Sequence, residues 1–199
     1  MMLFSGHQGL EHIQLSGADL WYQPDFYSRS QADNHLLALQ QLAWQQLNIR
    51  LYGKEALQPR QQVWFGDKPY TYSGLTLTPE PWTTLLSQLK GDVELASGHS
   101  FNTVLGNLYR NGSDYMGWHS DDETELGPNP VIASLSFGET RRFLLRHKTT
   151  GEKLELALPH GALLIMGGST QHNWQHQVAK TQKPCRLRIN LTFRDVCMV

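Results

Sequence analysis

His119 and Asp121, separated by Ser120, form an H-x-D pair inside NLYRNGSDYMGWHSDDE, residues 107–123. On an extended strand, side chains two positions apart leave the same face. An imidazole and a carboxylate so placed can reach one ion together. They would supply two members of a two-histidine, one-carboxylate facial set, which leaves positions on a non-haem ferrous ion open for a co-substrate and oxygen. The pair alone is not diagnostic, because nine histidines and 18 acidic residues in a chain of 199 produce such pairs by chance in ordinary polar loops. The third ligand is expected on a later strand. Gln171-His172-Asn173-Trp174-Gln175-His176, near Gly167-Gly168, offers two candidates. Strand parity does not separate His172 from His176, since positions four apart share a face. His147 and His160 stand further from the pattern and read as structural or surface residues.

A second set of chemistry-bearing residues lies on the last predicted strand, Arg186–Arg194. Arg186, Arg188, Asn190, Thr192 and Arg194 alternate with Leu187, Ile189, Leu191 and Phe193, so the two sets face opposite ways. Such a polar face serves an ordinary solvated surface. Turned into a barrel interior, it becomes a carboxylate-binding face, because guanidinium holds a carboxylate in two parallel hydrogen bonds. Asn107 and Tyr109 share one face of the strand ahead of the H-x-D pair. Arginine, asparagine and tyrosine donors beside an iron site are what a dicarboxylate such as 2-oxoglutarate requires.

The elements that must position these groups follow from periodicity. Between 30 and 48, Ala32, Leu36, Leu39, Ala43 and Leu47 recur at three- and four-residue steps, which predicts an amphipathic helix covering one face of a sheet. Thr78-Pro79-Glu80 predicts the start of a second helix, with Trp82, Leu85, Leu86 and Leu89 as its apolar stripe and Gly91 at its end. Between the two, Tyr52, Trp64, Phe65, Tyr70 and Tyr72 are interleaved with Lys54, Arg60 and Lys68 and broken by glycine and proline. That pattern suits either stacking on bases with phosphate contacts or a core and lid. From Phe101 onward, NTVLGNLY, VIASLSF, RFLLRH, KLELAL, ALLIMG and RLRINLTF read as short strands with turn punctuation, the signature of a sandwich or jelly roll. The expected fold is therefore α+β and mainly β: a double-stranded β-helix with N-terminal helices packed on one face.

Composition bounds the function. The chain is expected to form a single domain with a proper core. A net charge of −1 means that any nucleic-acid binding must come from local patches. Cys185 and Cys197 are too few for a disulfide framework and suit a reducing interior. No secretory leader is expected from MMLFSGHQGLEH, and no apolar run approaches the roughly 20 residues of a membrane span.

The segments NLYRNGSDYMGWHSDDETELGPNPVIASLSFG, RRFLLRHK, HGALLIMGGSTQHNWQHQV and RLRINLTFR together resemble the AlkB family of iron- and 2-oxoglutarate-dependent nucleic-acid dealkylases. The likeness runs through about the last hundred residues, and PRQQVWFGDKPYTYSG extends it toward residue 50, where it is most similar to the branch that repairs duplex DNA. The resemblance assigns the metal to His119, Asp121 and His176, the last because the family's second histidine follows a W-x-H run, here Trp174-Gln175-His176. It gives 2-oxoglutarate to Asn107, Tyr109, Arg188, Asn190 and Arg194. Tyr72 would stack on the extracted base opposite His119, and Asp122 and Glu123 would read its edge. Tyr52 falls where the duplex-specific branch carries an apolar finger, and tyrosine there departs from that pattern.

The resemblance implies oxidative demethylation of 1-methyladenine and 3-methylcytosine in DNA, with Fe(II) and O2, formaldehyde release, and conversion of 2-oxoglutarate to succinate and CO2. Residues 1–100 would hold the helices and a nucleotide-recognition lid, and residues 101–199 the catalytic core. The expected partner is alkylated DNA, with RNA the other candidate, and the expected state is a monomer away from membranes. The expected compartment is intracellular, cytoplasmic in a bacterium and nuclear in a eukaryote. Two competing readings are an oxygenase of the same core acting on RNA, protein or lipid, and a binding module that kept the fold without catalysis.

Overall fold

The computed structural model describes residues 9–51, 54–67, 70–72, 75–77 and 79–197; at 49–51, 54–55, 70–72 and 75–77 the description extends to the backbone alone. Strands β1 (Glu11–Leu15) and β2 (Ala18–Gln23) precede helix α1 (Arg29–Leu39). Strands β3 (Asn48–Leu51) and β4 (Lys54–Leu57) pair with each other, as do β6 (Tyr70–Tyr72) and β7 (Leu75–Leu77), with β5 (Gln61–Gly66) between the two pairs. After helix α2 (Thr84–Ser97) come β8 (Thr103–Tyr109), β9 (Met116–His119), β10 (Ile132–Gly138), β11 (Arg141–His147), β12 (Lys153–Leu158) and β13 (Ala162–Gly167). The single turn α3 (Thr170–Asn173) leads into β14 (Trp174–Val178), and β15 (Arg188–Arg194) closes the fold.

These strands form two facing antiparallel sheets. The larger has seven strands in the order β1-β2-β13-β10-β15-β8-β5, and the smaller has four in the order β12-β11-β14-β9. Period-two alternation sorts the apolar residues of the larger sheet into two cores, with β1 contributing to one of them only. Val104, Leu135, Leu163, Ile189, Leu191 and Phe193 face outward and pack with Ala32, Leu39, Leu86, Leu89 and Val93 of the helices. Trp64, Leu105, Tyr109, Ile132, Leu164 and Met166 face inward and meet Phe143, Leu145, Trp174 and Val178 of the smaller sheet. The strict alternation of β15 is thereby explained. Its apolar residues serve the helix side, and its polar ones line the space between the sheets. No helix of the described residues is long and apolar enough to cross a membrane.

The helices differ from expectation at their ends. Ser28 caps α1 in a capping box with Gln31, but the helix stops at Leu39 instead of running to 48. The indole Nε1 of Trp44 donates to the Leu39 carbonyl at 2.9 Å. Gln45 then pairs with Gln62 of β5 through both backbone groups, at 2.7 and 3.0 Å. Sheet pairing thus outcompetes helical propensity, and Ala43 and Leu47 line a depression beside β5 instead of a helix stripe. The second helix begins later than Thr78-Pro79-Glu80, of which Thr78 lies outside the described residues. Glu80 is taken by β5, its N–H donating to the Trp64 carbonyl at 2.9 Å. Thr83 caps instead, accepting from the Leu86 N–H at 3.2 Å. Gly91 does not end α2, which runs on to Gly98 at φ +67°, a left-handed cap that suits glycine. Added Cβ atoms at Gly91 would meet nothing within 4 Å, so that position is an open helix face.

Candidate active site

The smaller sheet brings the H-x-D pair to the second histidine. In its register His119 of β9 stands directly opposite His176 of β14, and Asp121 follows just beyond the strand. One ligand atom from each of His119, Asp121 and His176 lies within 4.8 Å of the others. The two imidazole centroids are 4.2 Å apart. Asp121 and His176 are buried and His119 is half-buried.

Local hydrogen bonds orient each group. The Nδ1–H of His119 donates to the Gly117 carbonyl at 2.8 Å, which leaves Nε2 with a free lone pair. Ser120 Oγ donates to the Trp174 carbonyl at 2.9 Å, and the Asp121 N–H donates to Oε1 of the fully buried Gln171 at 3.0 Å. Burial pushes His119 below its ordinary pKa, and pushes His176 down to about 3, with the neighbouring His119 adding to the effect. Both rings are therefore neutral at pH 7 and able to donate lone pairs. Burial works against ionised Asp121, but the Arg194 charge and the adjacent imidazoles prevail and hold it at about 2. Two neutral imidazoles and one carboxylate on one side of a chamber fit a divalent ion with open positions.

The facing wall is built by the larger sheet in cross-strand rows. Gln62, Asn107, Asn190 and Ser136 lie side by side on β5, β8, β15 and β10. In a neighbouring row Tyr109 stands beside Arg188. A cavity of about 40 Å³ lies between the sheets, lined among others by Arg60, Asn107, Tyr109, His119, Asp121 and Arg194. Arg188 and Arg194 mark opposite ends of β15, about 20 Å of strand apart at 3.3 Å per residue. Arg194 Nη2 donates to Asp121 Oδ1 at 2.8 Å, so it belongs to the metal end. Arg188 is 1% exposed. Its Nη2 donates to Ser136 Oγ at 3.0 Å and its charge sits 5.2 Å from the Tyr109 ring. Its Nε and Nη1 have no partner among the described residues. A buried, half-satisfied guanidinium fits a carboxylate.

The other expected site residues fall as follows. His172 lies in α3, not on a strand, so the parity argument does not apply to it. It is exposed, and its Nε2 accepts from the Asn129 N–H at 3.3 Å. Asn190 gives both amide hydrogens to Ser134 Oγ and the Leu135 carbonyl, each at 2.8 Å. Asp122 is exposed and paired with Lys148 at 3.0 Å. Glu123 is half-buried at the turn before Thr124–Leu126. Tyr52 lies outside the described residues, and Tyr72 is placed in β6 with its side chain outside the description. Sequence reasoning missed Gln62, Ser134, Ser136 and Gln171, and it read Arg60 as a phosphate contact or lid residue, whereas its Nε donates to Asn107 Oδ1 at 2.8 Å. The S-x-S alternation in VIASLSF carried a signal for Ser134 and Ser136. Arg60 and Gln62 share the parity of one strand face in PRQQ.

Comparisons with known proteins agree with this geometry. A family model described as the 2OG-Fe(II) oxygenase superfamily matches residues 9–194. Alpha-ketoglutarate-dependent dioxygenase alkB homolog 3 of Bos taurus is 51% identical over 149 residues, covering 70% of this chain and 52% of that protein. Its Homo sapiens counterpart is 45% identical over 184 residues, covering 87% and 64%. DNA oxidative demethylase ALKBH2 of Homo sapiens is 36% identical over 201 residues, covering 94% and 77%. The chain thus spans between about half and two thirds of the length of the homolog 3 proteins it matches. The solved structure of OsALKBH1 superposes with a TM-score of 0.64 at 21% identity, covering 88% of this chain and 97% of that one. That likeness bears on the fold alone, and the expected jelly roll with helices on one face is the fold observed.

Proposed function

The chain belongs to the AlkB branch of the 2OG-Fe(II) oxygenase superfamily, and on that premise we propose that it oxidatively demethylates N-alkylated bases in DNA, with 1-methyladenine and 3-methylcytosine as the substrates. The observation that carries the reading is the meeting, on one cavity, of the His119, Asp121 and His176 ligand atoms with Asn107, Tyr109 and Arg194, with the buried Arg188 next to Tyr109 across β8 and β15. His119, Asp121 and His176 would hold Fe(II). Arg188, with Tyr109 beside it, would hold the far carboxylate of 2-oxoglutarate, and Asn107 would donate to the same co-substrate. When bound, iron and 2-oxoglutarate supply the oxidising chemistry: O2 and the keto acid yield succinate and CO2, and the hydroxylated N-methyl group leaves as formaldehyde.

The chain's own residues position and desolvate. The neutral rings of His119 and His176 need lose no proton before ligating. Phe143, Met116 and Val178 line the same cavity and exclude water from the reacting carbon. A methylated nitrogen on a base-pairing edge is out of reach inside a duplex, so the base must leave the stack. Tyr72 is proposed as the aromatic face for that base, Asp122 and Glu123 as readers of its edge, and Tyr52 as the finger that fills the gap. Support for these roles comes from the family resemblance and from the position of Asp122 and Glu123 directly after the H-x-D pair.

The test is formaldehyde release with Fe(II), 2-oxoglutarate and O2 on oligonucleotides carrying one methylated base, as single-stranded DNA, duplex DNA and RNA. Release from DNA supports the proposal. Release from RNA alone would move the substrate assignment to RNA, and succinate formation without formaldehyde from any methylated strand would overturn it.

A further inference from the structure

We propose that Gln62 is a positioning residue for the co-substrate: with Arg60 it locks the Asn107 amide so that the NH2 group, and not the oxygen, faces the chamber. The inference rests on the co-substrate reading above. Arg60 Nε donates to Asn107 Oδ1 at 2.8 Å, and a guanidinium can only donate. That contact therefore identifies the oxygen of the Asn107 amide without reference to how the amide was placed. Gln62 Nε2 donates to the same oxygen at 3.0 Å, so its own amide orientation is fixed in turn. All three residues are buried.

Two donors on one oxygen leave Nδ2 of Asn107 as the atom turned to the cavity, which Asn107 lines and Gln62 does not. Among the described residues Nδ2 has no hydrogen-bond acceptor, whereas Asn190 in the same row has spent both amide hydrogens on Ser134 and Leu135. Asn107 is thus the amide in this row with donors to offer. A carboxylate accepts from an NH2 group and is repelled by an amide oxygen, so a flipped Asn107 would turn attraction into repulsion. Gln62 is itself held by two backbone hydrogen bonds to Gln45, which anchors the lock to the sheet edge.

The test uses the full chain loaded with Mn(II), a redox-silent ion for the same ligands, and measures the 2-oxoglutarate dissociation constant by calorimetry beside the melting temperature. Gln62→Glu places an acceptor against the Asn107 oxygen and favours the flip. It should weaken 2-oxoglutarate on the order of tenfold, with Mn(II) affinity unchanged. Gln62→Met, which removes the donor without adding charge, should give a smaller loss because Arg60 remains. In an Asn107→Ala background Gln62→Glu should have no further effect, since coupled residues are non-additive. A loss that persists in that background would be a through-space charge effect and would overturn the inference, as would unchanged binding in Gln62→Glu. If Gln62→Glu does not fold, unchanged binding in Gln62→Met overturns it. Failure of the unsubstituted chain to bind 2-oxoglutarate would overturn the co-substrate reading first, and the inference with it.

Discussion

Arg194 Nη2 donates to Asp121 Oδ1 across 2.8 Å although 73 residues separate them. The bond ties the last strand to the H-x-D loop and uses one carboxylate oxygen only. The other, Oδ2, is turned toward His176, whose Nε2 lies 3.9 Å away. With His176 neutral, that approach is a shared ligand geometry and not an ion pair. Arg194→Met would strand a buried carboxylate, and breaking such a pair costs about 3–5 kcal/mol. We expect the metal-free variant to lose stability of that order in denaturant unfolding and to regain part of it with saturating Mn(II), which would neutralise Asp121 in place of the arginine. Equal stability with and without Arg194 would mean that the contact is not energetically coupled.

The ligand set is tested one residue at a time. His119→Ala, Asp121→Ala and His176→Ala should each abolish the rise in melting temperature that Mn(II) or Fe(II) gives the parent chain. His172→Ala should leave it intact, because that ring is exposed in α3 and occupied by the Asn129 N–H. Loss of the metal response in the His172 variant alone would reassign the third ligand.

How much of this was legible beforehand depends on whether a pattern is local. The period-two pattern of β15 told its two faces apart, and packing then decided that Arg188 and Arg194 point inward. The H-x-D pair needed only two neighbouring positions. The choice between His172 and His176 was not available from spacing, because it depends on α3 ending at Asn173. The ends of α1 and α2 were misread for a related reason. Gln45 and Glu80 are claimed by β5, and a partner strand distant in sequence leaves no mark on local periodicity. Gln62 and Gln171 escaped notice because a glutamine is a site residue only through what it touches.

Arg188 separates stability from binding. Its charge is buried and two of its nitrogens lack acceptors among the described residues, so burial lowers its pKa and weighs against the folded state. Even complete buried ion pairs are often replaced by apolar side chains of similar volume without loss, or with a gain of about 1–4 kcal/mol, and a lone buried charge carries the desolvation cost with less to offset it. Arg188→Met should therefore melt no lower than the parent, and should not respond to 2-oxoglutarate at concentrations that saturate the parent. A variant that melts lower and still responds would show that Arg188 is a structural residue and that the carboxylate is held elsewhere.

Acidification of the metal-free chain gives the last test. Burial keeps His176 neutral down to about pH 3 and lowers His119 as well, whereas both titrate near 6.5 once unfolded. Below that value the unfolded chain takes up protons that the folded chain refuses. Their contribution is fully present above about pH 6.5 and is lost as pH falls toward 3, at up to ~1.4 kcal/mol per pH unit for each histidine. Asp121 acts lower on the scale. Its folded value of about 2 lies below the unfolded 3.8, so its contribution is present above that unfolded value and is lost as pH falls through 2. Between about pH 6.5 and 4 the slope is then set by histidines, and His176→Leu should flatten it measurably in denaturant titrations at several pH values. An unchanged slope would mean that His176 protonates in the folded chain as readily as in the unfolded one, and that its ring is not held neutral for a metal.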